Sequence, residues 1–151
     1  MSLVIVQKAD ASHIEKISKF QVLMARETED FELDIEVVRR GVTEVFKKTS
    51  HGEYFVCILD NEIVASLMIT YEWSDWRNRQ TWWIQSVFVK DNFRGQGIFK
   101  AMYLHIKNIV QNDDSLSGLR LYVDKTNYNA QKVYQKIGMD GNHYSLYEWM
   151  K

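Results

Sequence analysis

Two glycines and an arginine stand where a strand-like run gives way to a helical one, in Val87-Phe88-Val89-Lys90-Asp91-Asn92-Phe93-Arg94-Gly95-Gln96-Gly97-Ile98-Phe99. Glycines at a strand-to-helix turn let the backbone come close to a ligand. The free N–H groups of the helix's first turn, at its positive dipole end, then form an anion site. Arg94 adds a bidentate donor, and Lys90 and Lys100 add charge. Such a turn suits a pyrophosphate. It is not a Walker A loop, because the chain has no Gly-Lys-Ser/Thr, and it is not a dinucleotide fingerprint, because the third glycine is missing.

Acids and aromatics gather elsewhere. The run Glu27-Thr28-Glu29-Asp30-Phe31-Glu32-Leu33-Asp34 carries no basic residue, and Tyr71-Glu72-Trp73-Ser74-Asp75-Trp76-Arg77-Asn78-Arg79 mixes aromatics with two acids. Carboxylates and indole faces together attract cations. Four of the five tryptophans (Trp73, Trp76, Trp82 and Trp83) fall within eleven residues. Cys57 sits in an apolar run with no basic neighbour and reads as a small buried hydrophobe. The four histidines, His13, His51, His105 and His143, have no metal-ligand spacing, and His105 reads as a surface or packing residue.

The elements that must position these groups follow from periodicity. Residues 3–7 read as a first strand, and Ser12-x-x-Glu15 as a capping box ahead of Ile14, Ile17, Gln21 and Met24 at helical spacing. A second helix is expected after Asp34, with Val38, Val42 and Val45 on one face. Residues 53–59 and 63–73 flank Asp60-Asn61-Glu62 as a hairpin. Residues 80–89 are apolar on both alternations, which marks an interior strand. Phe99, Met102, Tyr103, Ile106, Ile109 and Val110 then follow helical spacing up to the polar Asn112-Asp113-Asp114-Ser115. Residues 119–123 read as a short strand, Ala130, Val133, Tyr134 and Ile137 as a helix stopped by Gly138, and residues 143–150 as a last strand. The order β-α-α-β-β-β-α-β-α-β calls for an α/β (α+β) domain over residues 1–151, a mixed sheet with helices on both faces.

Placed in that order, Arg94-x-x-Gly97 after Val87-x-Val89 resembles the GNAT superfamily of acetyl-CoA-dependent N-acetyltransferases. A second match lies about thirty residues on, in Asn127-x-x-Ala130-x-x-Val133-Tyr134-x-x-x-Gly138-Met139. The resemblance implies a mostly antiparallel sheet, acetyl-CoA as cofactor, and direct attack of an amine on the thioester. It implies that the backbone of Arg94, Gly95, Gln96, Gly97, Ile98 and Phe99 cradles the pyrophosphate. It also implies that N–H groups at a splayed part of the strand near Val87 receive the acetyl oxygen, that Val89 pairs with pantetheine, and that Asn127 bonds the cofactor or holds its turn. Tyr134 matches the family's general acid for the departing thiolate. Phe99 stands where the family has a small residue, and Met139 replaces Phe.

The base is less direct. Diamine acetyltransferases carry Glu-Asp where this chain has Gln85-Ser86, and no carboxylate lies between Gln80 and Lys90. Glu72 is the first candidate, with Asp75, Glu27 and Glu29 behind it, acting through water. Glu27, Glu29, Tyr71, Trp73, Trp83 and Gln85 are the expected acceptor-binding residues, and their charge points to a small cationic amine. A protein N-terminus or lysine is the alternative acceptor, and a non-catalytic acyl-CoA-binding module the alternative class.

Composition narrows the partners. The chain has 151 residues, 19 Lys+Arg against 20 Asp+Glu, and no proline. Near-neutral charge without a basic stripe argues against nucleic acid and anionic membranes. No apolar run reaches the length of a membrane span, and Met1-Ser2-Leu3-Val4-Ile5-Val6 has no basic region, so no leader is expected. A lone cysteine fits a reducing compartment, so the expectation is cytoplasmic. Many family members dimerise, which leaves a homodimer open.

Overall fold

Asp60 and Asn61 both adopt the left-handed region (φ 49° and 66°), the two-residue turn that matches the twist of a hairpin. They join β2 (Glu53–Leu59) to β3 (Glu62–Ser74) in a computed structural model that describes residues 3–151. Met1 and Ser2, the first residues of the run read for a leader, lie outside the described residues. With β1 (Val4–Lys8), β4 (Arg79–Val89) and β5 (Leu116–Arg120) the sheet runs in the order β1-β2-β3-β4-β5. Every pairing is antiparallel except β4 with β5, which is parallel. A parallel pair needs a crossover, supplied by α3 (Ile98–Gln111). The mixed, mostly antiparallel architecture expected from the sequence is the one observed.

Alternation along the strands sorts the core onto two faces. Tyr54 and Val56 of β2 pack with Ile17, Val42 and Val45 from α1 (Ile14–Glu29) and α2 (Ile35–Lys47). Phe46 of α2 stacks on Tyr54 at 5.8 Å. Phe55 points the other way and meets His105 of α3 edge-on at 5.9 Å, so His105 is a packing residue. Cys57 is fully buried, and burial pushes its thiol up, as suits an inert hydrophobe.

Three local expectations are corrected. Asp10, not Ser12, caps the first helical turn: its carboxylate accepts from Ser12 N at 2.9 Å, while its own N–H donates to His13 Nδ1 at 3.1 Å. A 3₁₀ turn over Ala11–His13 moves the start of the helical segment back two residues. The strand read at 119–123 is Leu116–Arg120, because its register is set by Gln80 pairing with Leu116, which the apolar pattern does not encode. The last strand, 143–150, forms no ladder; Tyr147 and Trp149 are exposed, and strand-forming side chains do not make a strand without a paired backbone.

The chain divides into two compact units, one through Arg120 and one of residues 121–151. The second unit holds α4 (Tyr128–Lys136), capped at both ends. Asn127 accepts from Ala130 N at 3.1 Å. Gly138 (φ 95°) donates to Gln135 O and Met139 N to Tyr134 O, the paired bonds of a Schellman stop. Among the described residues no helix is long and apolar enough to cross a membrane.

Candidate active site

Along β4 the pairing with β3 shifts register, and the pairing with β5 stops a few residues earlier. Ser66 pairs with Phe88 and Met68 with Gln85, so Leu67 of β3 faces both Ser86 and Val87. This is a β-bulge, with Ser86 at φ 54°. On the opposite edge β5 pairs with β4 only from Gln80 to Trp83. Beyond Trp83, among the described residues, no strand pairs with residues 84–89 on that edge. The result is a fork between β4 and β5 with a bulge in its wall. Val87 and Val89, expected to meet the acetyl group and pantetheine, both lie along it.

At the end of β4 the chain turns into α3 through Gly95 (φ 73°) and Gly97 (φ 79°). Side chains are strained at such φ, and a Cβ at either glycine would meet no atom within 4 Å, so the turn leaves open space above its backbone. Gly97 caps α3 without a side-chain bond, and the first N–H groups of any α-helix have no partner within it. Open space, positive φ and a bare helix N-terminus fit a pyrophosphate. Gln96 Nε2 donates to Asn92 O at 3.1 Å and holds the loop. Ile98 is buried beneath it. Phe99, in the place of the family's small residue, lies along its own helix with its ring 6.3 Å from Tyr103.

Arg94 does more than face this turn. Its Nε donates to Val89 O at 2.8 Å, its Nη2 meets Glu27 Oε2 of α1 at 2.7 Å, and its guanidinium lies 5.5 Å from the Phe88 ring centroid. Glu27 is thus the counter-ion of Arg94 rather than an unpaired acceptor acid. Its neighbours are committed in the same way: Glu32 pairs with Arg26, Glu15 and Glu36 pair with Arg39, and Asp34 caps α2 by accepting from Glu36 N. Glu29 is exposed at the end of α1.

Strand alternation divides the expected acceptor residues. Glu72, Trp83 and Gln85 share the face covered by α1 and α2, whereas Tyr71 and Trp73 lie on the other. Tyr71 tilts against the buried Trp82 at 6.3 Å, and burial, with the charge of Glu53, pushes its phenol up to about 12. Trp73 is largely exposed, and Trp76 at the hairpin tip is 91% exposed. Glu72 accepts from Trp83 Nε1 at 2.7 Å and from Arg120 Nη1 at 2.8 Å, and these bonds hold its carboxyl below the usual range, Trp83 contributing most. Gln85 Nε2 reaches Met68 Sδ at 3.5 Å beside the bulge.

In the second unit Asn127 holds the turn at the start of α4, one of the two roles expected of it. Tyr134 is half-buried, and burial raises its phenol above 10, so it carries its proton at neutral pH.

Two residues that matter were not legible beforehand. Ser86 gave no signal, because a serine is not the residue type that marks a left-handed position. Arg120 lay in an expected strand, but only the β4–β5 register brings it to Glu72 across 48 positions.

Known proteins place these features in a family. Residues 17–139 match the Acetyltransferase (GNAT) family. A crystal structure of a possible acetyltransferase from Clostridium difficile 630 is 40% identical and superposes with a TM-score of 0.91, covering 99% of this chain and 98% of that one. An aminoglycoside N-acetyltransferase solved with CoA shares the fold at 13% identity and a TM-score of 0.79, over 100% of this chain and 97% of its own. A ribosomal-protein-alanine N-acetyltransferase from Brucella melitensis biovar Abortus 2308 shares it at 13% identity and a TM-score of 0.80, over 99% and 100%. No curated protein matches the chain at a significant level. A match spanning most of the sequence, and a relative 40% identical over nearly the whole chain, make this chain a member of the GNAT acetyltransferase family, whose cofactor is acetyl-CoA.

Proposed function

We propose that the protein transfers the acetyl group of acetyl-CoA to the nitrogen of a small cationic amine by direct attack, as one cytoplasmic domain over residues 1–151. The observation that carries this is the continuity of the fork, the bulge and the glycine turn along β4 and into α3. Acetyl-CoA, when bound, supplies an activated thioester. The backbone of residues 94–99 would hold its pyrophosphate, and the open edge at Val87 and Val89 its pantetheine arm and acyl oxygen.

Each side chain has a matching task. Tyr134 keeps its proton at working pH and donates it to the departing thiolate. Glu72 is ionised throughout the neutral range, as a base must be, but its two hydrogen bonds make it a weak one, so it takes the amine proton through water. The Trp83 indole gives a cation an aromatic surface on one face of β4. The exposed Glu29 at the end of α1 offers a cationic acceptor a further carboxylate. The exposed Trp73 and Trp76 on the β3–β4 hairpin favour a second reading, a protein amine resting on the tip.

A panel of amines with acetyl-CoA and a thiol-release readout tests the reaction. Cationic small amines should lead, and a panel led by neutral or anionic amines would reject that acceptor class. Tyr134→Phe should lose about a hundredfold in kcat and keep its affinity for CoA. Wild-type protein that binds CoA but releases no thiol with any amine would instead be a binding module.

A further inference from the structure

The β4–β5 ladder is the weakest in the sheet on geometric grounds. It is parallel, spans only Gln80 to Trp83 on β4, and joins an edge strand of five residues that includes Gly118. A short ladder opens from its end, and this one ends at the Trp83–Arg120 pair, where the fork begins. Arg120 reaches from that last pair over β4 to Glu72 of β3, and Trp83 donates to the other oxygen of the same carboxylate. One carboxylate therefore straps three strands together at the apex of the fork.

We propose that Arg120 is a positioning residue, whose bond to Glu72 fixes the point at which β4 and β5 part and so keeps the fork shaped for the pantetheine arm. The pair is partly exposed (30% and 39% of the side chains), and ion pairs of that kind add little to global stability. Its leverage is local, on the fraying of one ladder end. The proposal rests on the acetyl-CoA reading and adds a separate requirement to it.

Calorimetry on the full chain tests it with two probes, CoA and the nucleotide diphosphate half of CoA, which lacks pantetheine. Arg120→Gln should bind CoA about tenfold more weakly, within the range for one coupled network, while the half-molecule binds as it does to wild type. Arg120→Lys should restore most of the loss. Arg120→Gln combined with Glu72→Gln should be no weaker than the worse single variant. Unchanged CoA affinity in Arg120→Gln overturns the proposal, and so does an equal loss for both probes, which marks a general disturbance of the fold. Wild-type protein that binds neither probe would overturn the acetyl-CoA reading itself, and the strap with it.

Discussion

Tyr54 lies buried beneath α2, and removal from water pushes its phenol up to about 12. In the unfolded chain the same phenol ionises near its ordinary value of about 10. A raised folded-state value means its contribution to stability is complete below pH 10, then lost as pH climbs through 12. The loss amounts to roughly 2–3 kcal/mol, and Tyr54→Phe should flatten the alkaline limb of a stability–pH curve. Denaturant unfolding at stepped pH values measures it. At this scale the sequence was most readable where chemistry is written in residue type. Gly95 and Gly97 announce a backbone that needs positive φ, and both have it. The partners of Arg94 were not readable, because Glu27 lies 67 positions away and only the packing of α1 beside β4 brings it near. Within the acidic run, Glu32 finds Arg26 while Asp34 caps α2, pairings that the order of residues alone does not announce.

Elements are where the fork is built, and its bulge hinges on a single serine. A non-glycine residue at φ 54° costs on the order of 1 kcal/mol or more unless its surroundings hold it there, and the β3–β4 pairing on either side does so. Ser86→Gly should therefore keep CoA affinity and leave the melting temperature equal or higher. Ser86→Val, β-branched and hostile to that region, should lower both, as a thermal melt and a CoA titration would report. Helices and the hairpin were readable because their periods and turn residues are local, although the first cap proved to be Asp10 rather than Ser12. Strand β5 and the tail were not: a strand exists only with a partner, and the partner's register is a property of the assembled sheet. The Schellman stop at Gly138 was readable, since one glycine after a helical run suffices to specify it.

Over the whole molecule net charge is close to zero, so on the proposed reading CoA capture would owe little to a net long-range field and much to the shape of the turn and fork. A ligand that binds only the folded form stabilises by mass action, about 2.7 kcal/mol at a hundredfold excess over Kd. For a chain of this size that is roughly 5–10 °C in Tm. A thermal shift titration with CoA should show it, and no shift at saturating CoA would contradict the assigned cofactor. The open side of β4 also has a price outside catalysis. Residues 84–89 read Ile-Gln-Ser-Val-Phe-Val, without charge or proline, along an edge that pairs with no strand there among the described residues. Such hexapeptides recruit copies of themselves into cross-β aggregates. The cofactor would then double as a plug, shielding the sticky edge, and preparations stripped of it are the ones that should precipitate on storage.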